Sequence, residues 1–422
     1  MKQARIRNTW IVILCLITLW LMVSTGPARA ATQRILHEFN FADGFIPEAR
    51  LIVDCDGNLY GTTSGGGINN CGWGDCGLVF KLSKNAEGRW IETVLHRFNG
   101  SDGSGPQGSL IQDAKGNLYG TTPAGGLYSG GTVFELSPKK DGRWTHTILH
   151  SFGSTNDGDG PYAELTFGRT GELYGVTYAG GYGSGTVFML SPSGGGKWAE
   201  KILYRFSGED GANPTAGVFR DQAGRLYGTT EAGGSDDCGV AFELTRNKKG
   251  VWVETVMHGF TCGADGTFPY GGLTSDHHGG FYGATIYGGN QNCYSGGCGV
   301  IFKLSRCANG QWRQTVLYTF NTISEGDGVW DKPIFGPGGS LYGDTSFGDG
   351  FGNVYKLTKG TDARWSETVL FSFNGAGTGW SPTGIVFDRR GHLYGVTSAG
   401  GNSKIGQCEG DNGCGLVYQL IP

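Results

Sequence analysis

The chain has 422 residues, of which 80 are glycine and only 38% apolar, a composition that excludes a helical bundle built around one central core. Its 37 acidic residues against 33 basic ones give a net charge of −4, which argues against an electrostatic nucleic-acid binder. The apolar residues fall in short alternating runs bounded by Gly, Pro, Asn and Asp, the local signature of strands.

The chain opens with Lys2, Arg5 and Arg7, followed by an uncharged apolar stretch from Trp10 to Val23 and the small-x-small triplet Ala28-Arg29-Ala30. This order predicts a secretory signal peptide over residues 1–30. Fourteen residues are short for a membrane span. Cleavage after Ala30 would leave 29 Lys and Arg against 37 Asp and Glu. The mature chain is therefore more acidic.

Next comes Ile35-Leu36-His37-Glu38-Phe39, a strand-like segment whose counterpart, Val94-Leu95-His96-Arg97-Phe98, closes the first full unit. Within that unit a Pro-led segment precedes Leu59-Tyr60-Gly61, then a Val-Phe run, then a Trp-led run from Trp90. The tripeptide recurs at Tyr119, Tyr174, Tyr227, Tyr282, Tyr342 and Tyr394, and Trp-led runs recur at Trp144, Trp198, Trp252, Trp312 and Trp365. A period of 52–60 residues built from four short strands indicates a propeller. The expected fold is an all-β, seven-bladed β-propeller spanning 31–422, with blades at about 46–98, 106–152, 160–206, 213–260, 268–320, 329–373 and 381–421. The last unit lacks a Trp-led strand, so residues 33–39 should complete it and close the ring.

The L-Y-G-x-T, G-x-V-F-x-L and W-x-E-T-V-L-H-x-F units resemble the tandem repeats of the bacterial GloVer family of exported proteins, over essentially all of residues 33–422. The strand order is also similar to NHL-type propeller repeats. The resemblance implies an exported propeller, secreted, periplasmic or on the cell surface, with no activity attached to the family as such. Many such proteins carry a C-terminal anchor, whereas this sequence ends at Leu420-Ile421-Pro422 directly after a strand.

Ten of the eleven cysteines follow the signal. Cys71 with Cys76, Cys293 with Cys298 and Cys408 with Cys414 stand at one equivalent place, before the third strand, and read as disulfides in an oxidising compartment. Cys238 has Cys262 as its best mate, while Cys55 and Cys307 stay unassigned. The rival reading is zinc held by Cys71, Cys76, Cys408 and Cys414, which ring closure would bring together.

Candidate chemistry is sparse. Asp43, Asp102, Asp157, Asp210, Asp265 and Glu325 recur four residues before the Pro position, with Gly377 in the seventh unit. They could hold calcium, but Asp-Gly turns explain them better. Thr63 and its six counterparts suit bonds between strands. His37, His96, His150 and His258 share a position with Tyr204, Tyr318 and Phe371, a substitution pattern of packing rather than catalysis. No motif joins Ser or Cys to His and Asp.

Residues that break the repeat are the better guide. Trp73, Tyr128, Tyr182, Tyr294, Trp330 and Trp380 lie in long loops on one face and have no counterparts in other blades. Aromatic rings beside Asn, Asp and Gly suit a glycan- or protein-binding surface. The expectation is a monomeric, non-catalytic exported binding protein without a bound cofactor. The alternative is a propeller hydrolase, lyase or lactonase acting on saccharides.

Overall fold

The computed structural model describes residues 31–67, 71, 76–154, 157–290, 293, 296–322, 324–347, 350–375, 377–401, 408 and 413–421. The predicted signal peptide and the side chains of Trp73 and Tyr294 lie outside these residues. Seven four-stranded antiparallel sheets form a seven-bladed propeller. No α-helix occurs among the described residues, and none of their helices is long and apolar enough to cross a membrane.

Blade 2 shows the common plan. Its strands run in order from Ile111–Gln112 through Leu118–Thr122 and Thr132–Pro138 to Trp144–Ser151. The repeated glycine has a packing cause. Gly120 stands directly opposite Phe134 in the ladder, and a Cβ there would lie 2.6 Å from the tip of that ring. The same Gly–aromatic pairing recurs in every blade, from Gly61 and Phe80 to Gly395 and Tyr418. A bare backbone lets the large ring lie flat on the sheet.

The outermost strand carries a bulge in every blade; in blade 2 the extra residue is Leu149, opposite the step from Val133 to Phe134. The extra residue breaks the alternation and turns inward. Thus Leu149, Leu203, Met257 and Leu36 are all buried.

Blade-to-blade packing explains the rest of the repeat. The hydrophobic core is divided into seven clusters, each shared by neighbouring blades; one joins Tyr60, Val79 and Phe98 to Leu110, Leu118 and Phe134. Trp144 meets Tyr60 of the preceding blade edge to face at 6.4 Å, and Trp312 meets Tyr227 at 6.2 Å. Repeated aromatics are thus the contact between blades.

The ring closes as the sequence predicts. Thr32–Glu38 pairs antiparallel with Leu416–Ile421 and becomes the outermost strand of blade 7. Trp90 of blade 1 then packs on Tyr394 of blade 7 at 6.3 Å, and Ile46 N–H donates to the Cys414 carbonyl at 3.2 Å.

The four expected disulfides are present: Cys71–Cys76, Cys293–Cys298, Cys408–Cys414 and Cys238–Cys262. The zinc reading is therefore replaced, because each sulfur of that set is consumed within its own loop pair. Cys55 and Cys307 are free and exposed.

Candidate ligand-binding site

The segment led by Pro enters each blade beside the axis, and its next residue points into a central cavity of about 340 Å³. In ring order these residues are Glu48, Gln107, Tyr162, Thr215, Tyr270, Trp330 and Thr383. Val329 takes the proline's place before Trp330. This position varies from blade to blade, as do the two that follow it, which include Arg50, Glu164, Asp331 and Lys332.

Two ion pairs cross the cavity. Arg50 of blade 1 donates through Nε and Nη2 to Asp331 Oδ2 of blade 6, at 3.2 and 2.6 Å, and through Nη2 to the Lys332 carbonyl at 3.1 Å. Lys332 in turn donates to Glu164 Oε1 of blade 3. Blades 3 and 6 stand across the ring from each other, so this contact spans the axial tunnel. Burial pushes Glu164 up, but Lys332 and Arg50 outweigh it and hold the carboxyl below its usual range.

Two further acids border this network. Glu48 lies at the cavity wall, where burial raises its pKa against hydrogen bonds from Ser64 and Gln107. Asp344 is 2% exposed, and neither of its oxygens has a hydrogen-bond partner. Burial and the nearby Asp331 charge hold its carboxyl well above the usual range, against the attraction of Arg50. It replaces the Thr or Val found after the repeated glycine in most blades, such as Thr62, Thr121 and Val396.

The repeated acids serve elsewhere. Asp102 accepts from Asn99 N–H at 2.9 Å and pairs with His96 of the outermost strand at 3.0 Å. Asp157 with His150 and Asp265 with His258 repeat the arrangement, at 3.1 and 3.0 Å, and Tyr204 donates to Asp210. In the seventh unit the sequence reading placed Gly377 here, but Thr378 does the work: its Oγ1 accepts from Asn374 N–H at 2.8 Å. Proline numbering confirms the shift, since Thr378 precedes Pro382 by four residues.

A third residue joins each such pair from the next blade's outermost strand, which the sequence reading missed. Glu92, Glu200, Glu254 and Glu367 occupy it, and burial raises them to about 7, 6, 8 and 7 respectively. Gln314 instead donates to the Asp265 carbonyl at 3.0 Å, and Gln33 to the Thr378 carbonyl at 2.6 Å. The W-x-E spacing was the available signal.

Blade 2 places His146 there, and His96, Asp102 and His146 bring their ligand-type atoms within 4.8 Å of one another. The two imidazole rings are stacked, 4.1 Å apart and 5° from parallel. Ring nitrogens coordinate in the ring plane, and one ion cannot lie in two parallel planes. As placed, the trio is a contact between blades.

The aromatics singled out in the sequence do not gather at one place. Trp330 lines the axial cavity and meets Tyr270 edge to face at 5.1 Å. Tyr128 and Tyr182 are exposed on loops of blades 2 and 3, at 53% and 78%. Trp380 begins the innermost strand of blade 7 and packs on Phe351 at 6.1 Å. Tyr162, Tyr270 and Phe347, which the sequence reading passed over, share the cavity with Trp330.

Known proteins with this architecture include PorZ, a bacterial surface component of the type-IX secretion system of Porphyromonas gingivalis. It is 14% identical over 92% of this chain and 48% of its own, with a TM-score of 0.51. The extracellular domain of BT4673 from B. thetaiotaomicron is 10% identical over 93% of this chain and 40% of its own, with a TM-score of 0.54. The chain thus spans less than half the length of either, and the likeness is one of fold. No curated protein matches the sequence. The Gloeobacter/Verrucomicrobia repeat matches residues 23–199 and 145–321, so that together the two matches cover most of the chain. With seven blades built on one repeated unit, the protein belongs to the Gloeobacter/Verrucomicrobia repeat family.

Proposed function

We propose that this is an exported propeller that binds a small polar ligand in its axial cavity without transforming it. One observation carries the reading: the positions just after the proline, which line the cavity, differ from blade to blade, while the strands that frame them repeat. A repeated scaffold becomes selective only through groups that are not repeated. Four disulfides support export, because they persist in oxidising compartments. The acids at the centre, Asp331 and Glu164, are held in ion pairs, which suits a rigid recognition site.

A thermal-shift screen of the secreted protein against small metabolites and oligosaccharides tests the reading, since a ligand of the folded state raises Tm. Replacing Trp330 or Tyr270 by Ala should abolish the shift. A ligand whose shift survives both changes but is lost with Tyr128→Ala or Tyr182→Ala would move recognition to the outer loops and overturn the proposal.

A second reading, saccharide hydrolysis, draws on Glu48, a carboxyl at the cavity wall whose pKa burial raises. Turnover of chromogenic glycosides that is lost in Glu48→Gln would establish it.

A further inference from the structure

Resting on the axial binding site proposed above, we infer that its ligand is a neutral saccharide. Charge balance comes first. Both cations of the cavity are already committed, Arg50 to Asp331 and Lys332 to Glu164. A carboxylate, phosphate or sulfate ligand would have to break an ion pair to find a cationic partner, leaving a half-buried carboxylate alone. The remaining wall acid, Glu48, opposes an anion further. Acidic sugars and phosphorylated ligands are thereby selected against.

Shape and surface point the same way. Trp330 and Tyr270 meet at 75°, so the two rings present differently oriented surfaces to one cavity. Tyr162 lies in the same lining. Ring faces pack on the C–H patches of a pyranose. Gln107, Ser109 and Thr383 stand among them with side chains that donate and accept, matching hydroxyl groups that do both. A cavity of about 340 Å³ is at the small end of ligand sites and suits one or two sugar rings. The Lys332–Glu164 contact spans the tunnel, so the site favours the end of a saccharide over a chain threaded through the ring.

Isothermal titration calorimetry with methyl glucosides, galactosides and mannosides, their uronic acid counterparts, glucosamine and choline separates the outcomes. A neutral glycoside should bind, its uronic acid counterpart should bind at least tenfold more weakly, and Trp330→Ala should weaken the neutral sugar at least tenfold. Glu164→Gln, which releases Lys332, should narrow the gap between neutral and acidic sugars. Trp330-dependent binding of only the uronic acids, or only the amines, would overturn the sugar assignment while leaving the axial site standing. Saccharide binding indifferent to both Trp330→Ala and Glu164→Gln would overturn the site and the assignment together, as would no binding across the panel.

Discussion

The rings of His96 and His146 lie 4.1 Å apart and nearly parallel, joining the outermost strand of blade 1 to that of blade 2. In four other boundaries a half-buried Glu stands where His146 stands, against a His–Asp, Tyr–Asp or Tyr–Glu pair of the preceding blade. The propeller is thus held at its rim by titratable groups whose stability contributions oppose one another.

Glu92, Glu200, Glu254 and Glu367 have folded values of about 6 to 8, above the 4.5 of an unperturbed Glu. The stability they add as neutral acids is complete below pH 4.5 and is lost as pH rises through 6 to 8. His146, lowered to about 4 by burial and by His96, acts the other way: its contribution is present above pH 6.5 and lost as pH falls through about 4. With four groups against one, Tm should fall between pH 5 and pH 8. Glu254→Gln should flatten that slope, and His146→Gln should improve stability near pH 4. A Tm that climbs steadily from pH 5 to pH 8 would contradict this account.

Removing residues 31–39 should uncover the edge of Leu416–Ile421 and expose the packing sites of Leu36 and Phe39. Burial of these two side chains is worth roughly 3–6 kcal/mol. The truncated protein should aggregate through its open edge. Because Thr32 pairs with Ile421, moving residues 31–39 to the C-terminus behind a short turn should restore a monomer of native Tm. Size-exclusion chromatography distinguishes the forms.

Cys238–Cys262 closes a longer loop than the three bridges of five or six residues' separation. On the loop-entropy model its removal should cost about 3.5 kcal/mol, against about 2 kcal/mol for each short bridge. Denaturant melts of the paired Ser variants measure the order. Equal costs would show that strain or unfolded-state structure outweighs loop length.

Gly120→Ala places a methyl against the Phe134 ring and should cost about 1–3 kcal/mol. Adding Phe134→Leu should return part of that loss, because the smaller side chain vacates the contact. Additive losses in the double variant would refute the pairing as the reason for the glycine.

The repeat alone determined the number of blades, the order of strands and the joining of both termini in one sheet. These follow from neighbours in sequence or from identical neighbours one period away: Gly120 needs Phe134, and Trp144 needs Tyr60. The disulfides were legible for the same reason. The axial cavity was not, since its partners meet only when the ring is closed. Arg50 and Asp331 are 281 positions apart, and Lys332 and Glu164 are 168. Nothing local marks Asp344 either, beyond an acid standing where most other blades have Thr or Val. Packing energy is distributed through every repeat and leaves a periodic trace. A binding site at the symmetry axis depends on the residues that escape the period, and only the closed ring decides which of them face one another.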